Sequence, residues 1–145
     1  MKLLFSARLQ SVVLARAAHF AGRWAGPAGA VLKWVNLVLT GADVAFEARI
    51  GPGLVLYHPV GVVIGPECVV GARCRFNQGV TLGAGKGGSP RVGDDVVFAA
   101  GAKVFGSLTI GDRAHIGANA VVMSSVPERG FAAGIPAKTI KYVGD

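Results

Sequence analysis

Residues Ile64–Gly83 read IGPECVVGARCRFNQGVTLG, and their spacing indicates the fold of the chain. Large apolar residues recur in this stretch at every sixth position, and a glycine often follows them. A period of six matches neither the 3.6-residue turn of an amphipathic helix nor the simple alternation of a single strand. It is the hexapeptide signature of a parallel β-helix, in which three hexapeptides close one triangular coil of about 18 residues. With one longer step, the series continues through Ile64, Val70, Phe76, Leu82, Val92, Phe98, Val104, Ile110, Ile116 and Val122.

A second position of each repeat, four residues further on, is small or aliphatic and is expected to point inward. It is occupied by Cys68, Cys74, Val80, Val96, Ala102, Leu108, Ala114, Ala120 and Val126. The two cysteines are therefore interpreted as small core residues, with no disulfide or metal role. This use of cysteine fits a reducing compartment, and we expect a cytoplasmic protein.

The repeat is interrupted twice. Two extra residues occur around His58–Gly61, and four extra residues occur between Leu82 and Val92. We expect Gly85–Pro90 to leave the coil as a loop. Breaks in a solenoid place loops on its surface, and such loops often carry function.

The residues before the β-helix differ from it in charge. Five of the fifteen basic residues precede residue 43, and no acidic residue does. Residues 1–41 are predicted to form a helical arm, in which Pro27 starts a second helix that runs to about Leu39 and ends at Gly41. Residues 42–145 are predicted to form the β-helix domain.

Three interpretations of the arm are open. The favoured one is a pair of helices packed on the open end or flank of the β-helix. The others are a basic arm that lies on a membrane surface through residues 1–40, and a cleaved signal peptide. The second apolar stretch is shorter than the roughly 20 residues that span a bilayer. We expect no nucleic-acid binding, because stacking aromatics and dense basic clusters are missing from the arm sequence.

The stretch Asp43–Lys141 resembles the catalytic domain of serine acetyltransferases and related hexapeptide-repeat acyltransferases. The resemblance implies an all-β solenoid with a left-handed coil, which is an exception to the usual right-handed crossover. It also implies a homotrimer with active sites in the clefts between subunits, and acetyl-CoA as co-substrate. Its motifs are Asp43 fifteen residues before His58, Ile50–Gly53, Tyr57–Gly65, Gln78–Gly83, Ala100–Lys103 and Ala133–Lys138.

The resemblance also implies roles for single residues. His58 would act as the general base that deprotonates an acceptor hydroxyl, a task suited to a group that titrates near neutrality. Asp43 would hold the imidazole in the required tautomer. The acetyl-CoA side would be formed by Gly83 and Ala84, at a corner where Gly83 donates a backbone N–H to the thioester carbonyl. It would also include Ala100 and Ala102 along the pantetheine arm, and Lys138 near the phosphates.

The acceptor side departs from the family pattern. Tyr57 stands where the family usually has aspartate, and Ser89 replaces a second active-site histidine in a loop that is four residues shorter. We expect both residues to line the acceptor site. The sequence therefore predicts an acetyl-CoA-dependent O-acetyltransferase and slightly favours a sugar or glycan hydroxyl, free or lipid-linked, over serine. Short relatives with basic arms resemble acetyltransferases of polysaccharide assembly.

Two further alternatives are weighed from the residues. The first is a function without catalysis: a β-helix module for assembly, or for tethering to the inner face of the membrane. The presence of His58 and Asp43 argues against it. No metal site is expected, because His19, His58 and His115 are too scattered along the chain to form a ligand set.

Overall fold

A computed structural model describes residues 6–142 and 144. These residues form two helices and fifteen short strands, numbered in chain order, and the helices are α1 (Ala7–Gly22) and α2 (Gly26–Thr40). Pro27 lies in the first turn of α2, where its missing N–H leaves no hydrogen bond unmade. Gly41 caps the helix with a φ of 74°, a conformation that glycine adopts without strain. The predicted start and end of this helix are confirmed. The predicted boundary between residues 41 and 42 falls in the link to the first strand, and the division into two domains stays a prediction.

The strands of the described residues lie on three faces of a triangular prism, in sheets that are parallel except for the last strand. The first sheet contains β1 (Asp43–Val44), β4 (Val63–Ile64), β7 (Thr81–Gly83), β10 (Lys103–Phe105) and β13 (Val121–Val122). The second contains β2 (Arg49–Ile50), β5 (Val69–Val70), β8 (Arg91–Val92) and β11 (Thr109–Ile110). The third contains β3 (Val55–Leu56), β6 (Arg75–Phe76), β9 (Val97–Phe98), β12 (His115–Ile116), β14 (Gly130–Gly134) and the antiparallel β15 (Ala137–Tyr142).

The register of the first sheet shows both interruptions of the repeat. Val63 pairs with Asp43, an advance of 20 residues along the chain, and Thr81 pairs with Val63, an advance of 18. Lys103 then pairs with Thr81 after 22 residues, and Val121 pairs with Lys103 after 18. Relative to a coil of 18, the first coil has two extra residues and the third has four. The predicted insertions are confirmed in size and place.

The core is the inside of the coil. Every residue of the predicted six-step series from Ile64 to Val122 is buried, and so is every residue of the second series from Cys68 to Val126. At the centre, the rings of Phe76 and Phe98 stack with centroids 4.6 Å apart. The left-handed parallel β-helix with a short N-terminal helical arm is confirmed.

The helical arm covers the open end of the first coil. Val12 and Ala15 of α1 face Val44 and Leu54 across a small cavity. The guanidinium of Arg16 donates to two backbone carbonyls of the coil. The favoured interpretation, helices packed on the end of the β-helix, therefore matches the structure. Residues 1–5 of the predicted arm lie outside the described residues.

Among the described helices, none has the length and apolarity needed to cross a bilayer. Contact of the arm with a membrane surface stays a prediction.

Candidate active site

His58 lies on an exposed turn at the first interruption of the repeat. The turn follows β3, and its shape is fixed by two backbone hydrogen bonds, from Val62 N–H to Pro59 at 3.0 Å and from Gly61 N–H to Gly41 at 2.8 Å. Pro59 is buried while His58 is exposed. The imidazole makes no hydrogen bond to any of the described residues. An exposed ring without a partner on a fixed turn is free to meet a substrate.

Asp43 starts the strand beside this turn. Its N–H donates to Val62 at 2.8 Å, so its backbone is tied to the strand that the His58 turn leads into. Its carboxylate forms an ion pair with Lys33 of α2, with 2.9 Å between Nζ and Oδ1. The structure thus places Asp43 next to the His58 turn but does not hydrogen-bond it to His58. The catalytic roles of both residues stay predictions. Lys33 was missed, because the sequence showed it only as a charge that interrupts an apolar helix.

Tyr57 precedes His58 on the outer face of the third sheet. The guanidinium of Arg8, from the first turn of α1, lies 5.6 Å from the centre of its ring. This is the distance of a cation–π contact. The predicted acceptor-side residue is therefore next to His58 in the chain and also in contact with the helical arm.

The second interruption forms a small loop at another corner of the prism. Gly85 and Gly88 exchange backbone hydrogen bonds of 2.9 and 3.2 Å, which closes the loop on itself. Gly83 pairs with Phe105 in the neighbouring coil. A Cβ atom at Gly83 would lie 2.8 Å from the Phe105 ring, so this corner has room for glycine alone unless the ring moves.

A backbone N–H at this corner is unused. Gly65, the equivalent of Gly83 one coil earlier, donates along the sheet to Leu82. By the same pattern the N–H of Gly83, which was the predicted thioester donor, is used in the hydrogen-bond ladder with the next coil. The next residue, Ala84, is exposed, and its N–H donates to no acceptor in the described part of the chain. Ala84 therefore offers a free donor at this corner.

A groove of about 250 Å³ runs beside the loop. Its apolar part is made by Phe105 and Met123, which are 40% and 70% exposed, and Lys86 adds a charge. Neither Phe105 nor Met123 was predicted as a site residue. The available signal was that each follows an inward residue of the six-step series, so a large apolar side chain at that place must point outward.

Two predicted site residues are placed differently from the expectation. Ala102 is fully buried, with its methyl group inside the coil, so its side chain cannot line a groove. The hydroxyl oxygen of Ser89 is buried beside the thiol of Cys68. The side chains of Ala102 and Ser89 thus lie inside the protein, and a contact of either residue with substrate stays a prediction.

The remaining predicted residues are accessible. Ala100 is half-buried in the turn between β9 and β10. Lys138 is exposed on β15, where it pairs with Ala133 beyond the last coil. Their contacts with acetyl-CoA stay predictions.

The candidate residues lie at two different corners of the prism, on opposite sides of the first sheet. His58 and Ala100 lie at the corner where the chain passes from the third sheet to the first. Ala84 lies at the corner where the chain passes from the first sheet to the second. Residues 61–65 cross the sheet between these corners, about 16 Å at about 3.3 Å per residue. One chain therefore does not bring the predicted base to the loop corner.

Burial changes the chemistry of the cysteines. It raises the pKa of the Cys74 thiol to about 11 and also raises the pKa of Cys68. Both thiols are therefore protonated and unreactive near neutrality. Among the residues that the structure describes, no three His, Cys, Asp or Glu side chains cluster closely enough to hold a metal ion.

No family model matches the chain. Individual proteins with similar sequences and structures are nevertheless known. Serine acetyltransferase of Staphylococcus aureus (strain Mu50) is 40% identical over 121 residues, which is 81% of this chain and 57% of the relative. The crystal structure of serine acetyltransferase from Brucella abortus in complex with coenzyme A superposes on 97% of this chain and 58% of its own, with a TM-score of 0.92 and 31% identity. Soybean serine acetyltransferase complexed with serine covers 90% of this chain and 56% of its own, with a TM-score of 0.85 and 35% identity.

Fold, repeat and relatives together define a hexapeptide-repeat β-helix protein. Within that class the chain is serine acetyltransferase-like, and the resemblance seen in its sequence is confirmed. The chain spans less than three fifths of the length of the relatives it matches, at 57% for the staphylococcal protein. The slight preference for a sugar acceptor finds no support, because these relatives are named serine acetyltransferases.

Proposed function

We propose that this protein is an acetyl-CoA-dependent O-acetyltransferase and that its acceptor is the hydroxyl of serine. The observation that carries the proposal is His58, an exposed imidazole without a partner among the described residues, held on a fixed turn beside Asp43. The names of the relatives, and the structures of such proteins with coenzyme A and with serine, support the choice of donor and acceptor.

The residues define a short reaction sequence. His58 takes the proton of the serine hydroxyl, because an alcohol is a weak nucleophile until it loses that proton. The serine oxygen then attacks the thioester carbonyl carbon, and the bond from carbon to sulfur breaks. His58 returns its proton to the leaving sulfur. The products are O-acetylserine and coenzyme A.

The loop corner suits the donor side of this reaction. The free N–H of Ala84 can donate to the thioester oxygen as it becomes negative, which is the role of an oxyanion donor. Because Gly83 has no side chain, the Phe105 ring can pack against this corner. The groove of Phe105 and Met123 offers an apolar path for the pantetheine arm of coenzyme A. Lys86 lies at the groove and Lys138 at the end of the coil, where positive charge favours phosphate.

The separation of the two corners within one chain favours an assembly of several copies. The site requires His58 from one corner and Ala84 from the other, and these corners are about 16 Å apart across the first sheet of one chain. A neighbouring copy that packs edge to edge would bring the two corners together. We propose a homotrimer with sites between subunits, as the family resemblance implies; closed cyclic symmetry would give each copy the same contact with its neighbour.

The test combines binding, turnover and mass. Coenzyme A should raise the melting temperature, since a ligand that binds only the folded state stabilises it. Thiol release from acetyl-CoA should then be followed with L-serine and with a panel of free sugars. Serine-dependent release supports the proposal, and release with sugars alone would replace serine by a glycan hydroxyl. Stabilisation without any release would favour a binding module instead. Sedimentation should give three times the mass of the chain.

A further inference from the structure

We propose that Lys33 of helix α2 is a positioning residue of the active site, which fixes the carboxylate of Asp43 so that it can orient His58. The inference rests on the proposed function, because it assumes that His58 acts as the base. It extends the site from the β-helix into the helical arm.

The ion pair between Lys33 and Asp43 is held from both sides. Lys33 lies inside α2, whose end is fixed by Gly41, with a hydrogen bond of 2.9 Å from Gly41 N–H to Leu37. Asp43 lies in β1, and its N–H is bonded to Val62. The 2.9 Å contact therefore joins two backbone segments with fixed positions.

The same segments carry the His58 turn. Gly61 at the end of that turn donates to Gly41 at the end of α2, and Asp43 donates to Val62, the residue after Gly61. The end of the helix, the start of β1 and the His58 turn thus form one hydrogen-bonded unit. A change in the Lys33 side chain has a short path to His58 through Asp43.

A role in stability alone is a poor explanation of the pair. The side chains of Lys33 and Asp43 are 35% and 36% exposed, and ion pairs at such exposure contribute little to folding. The ammonium contacts Oδ1 only, and Oδ2 has no partner among the described residues. Holding one oxygen leaves the other free to accept from an imidazole in a defined direction. This is what the carboxylate beside a catalytic histidine must do.

The experiment compares Lys33→Met, Lys33→Arg, Asp43→Asn and the double variant Lys33→Met/Asp43→Asn. We expect Lys33→Met to lower kcat on the order of tenfold, as a misplaced catalytic group does. KM should change little, and the melting temperature should move by no more than about 4 °C. Lys33→Arg should restore most of kcat. The double variant should be no slower than Asp43→Asn, because Lys33 acts through Asp43.

Glu128→Gln is the matched control, since it removes an exposed ion pair with Arg113 at the far end of the coil. It should leave kcat unchanged. Wild-type kcat in Lys33→Met, or a loss that adds to that of Asp43→Asn in the double variant, would overturn the inference while leaving the proposed function standing.

A second readout does not depend on turnover. Nitrogen NMR of the histidine rings reports their tautomers, and His19 is an internal reference, because its Nδ1 lies 2.8 Å from the Phe46 carbonyl and must carry the proton. His58 should show the same tautomer in the wild type and lose it in both Lys33→Met and Asp43→Asn. If Asp43→Asn changes the His58 signals and Lys33→Met does not, Lys33 has no positioning role. If the wild type is inactive with every acceptor, the proposed function fails. The NMR signals of His58 then decide by themselves whether Lys33 positions Asp43 against His58.

Discussion

Arg16 of helix α1 donates from its guanidinium to the backbone carbonyl of Ile50, the last residue of β2. A second nitrogen of the same group donates to Gly51. The contact joins the helical arm to the end of the β-helix at a point where the coil has no further turn to pair with. The arm thus caps a solenoid end, which a repeat structure requires.

The cap predicts a specific loss of stability. Arg16→Ala should lower the free energy of unfolding by about 1 kcal/mol, because the two hydrogen bonds that it removes are exposed to solvent and the net contribution of such bonds is modest. Arg23→Ala removes an exposed arginine from just beyond the same helix and should change it by less than about 0.5 kcal/mol. Denaturant unfolding at a fixed protein concentration measures both. Equal losses in the two variants would show that Arg16 has no special place in the cap.

The corner at Gly83 predicts a steric defect that can be repaired. Gly83→Ala places a methyl group 2.8 Å from the Phe105 ring, which must then move into the groove. Overpacking of this kind lowers the stability of the fold by about 1–3 kcal/mol. Affinity falls separately, because coenzyme A must push the displaced ring out of the groove, and a cost of about 1.4 kcal/mol for that step is a tenfold change. We therefore expect the dissociation constant for coenzyme A to rise about tenfold.

The repair variant is Gly83→Ala/Phe105→Ala, in which the ring is absent. It should bind coenzyme A more tightly than Gly83→Ala alone. Calorimetric titration checks the comparison, with Phe105→Ala as the control for the lost ring. If the double variant is weaker than both single variants, the clash is not the cause of the defect.

The buried cysteines predict a loss of stability in alkali. An exposed thiol has a pKa of 9.0, whereas burial raises that of Cys74 to about 11. Between these values the folded state keeps the proton that the unfolded state has lost. Stability is therefore complete below pH 9 and falls as the pH rises towards 11, by at most about 1.4 kcal/mol per pH unit for one thiol.

The control for this slope is Cys74→Ala. Its free energy of unfolding should decline less steeply than that of the wild type between pH 9 and 11, whatever its value at pH 8. Denaturant unfolding at several pH values gives both slopes. Parallel slopes in the two proteins would mean that Cys74 titrates alike in both states.

Most of the fold could be predicted from the sequence because a solenoid is built from local repeats. The eight-residue step from Leu56 to Ile64 and the ten-residue step from Leu82 to Val92 can be read from the sequence, and each became an insertion in the coil. A repeat needs only its neighbours for its core. No long-range information was required.

The contacts within the site were less predictable, because they join parts of the chain that a local repeat does not relate. The contact between Lys33 and Asp43 depends on how α2 lies against β1, and helix packing leaves no periodic signal at one lysine. Ala102 shows a different limit. The six-residue pattern already placed it inward, and the resemblance placed it along a ligand; the structure follows the pattern.

The central claim is that His58 is the base for acetyl transfer to serine. The direct measurement is the rate of O-acetylserine formation from acetyl-CoA and L-serine, identified by mass, in wild type, His58→Ala and His115→Ala. His115 lies half-buried on the third sheet, three coils from the His58 turn, and serves as the histidine control. We expect O-acetylserine from the wild type and from His115→Ala, and a loss of about 10²-fold or more in His58→Ala. Product formation by His58→Ala at the wild-type rate would contradict the claim.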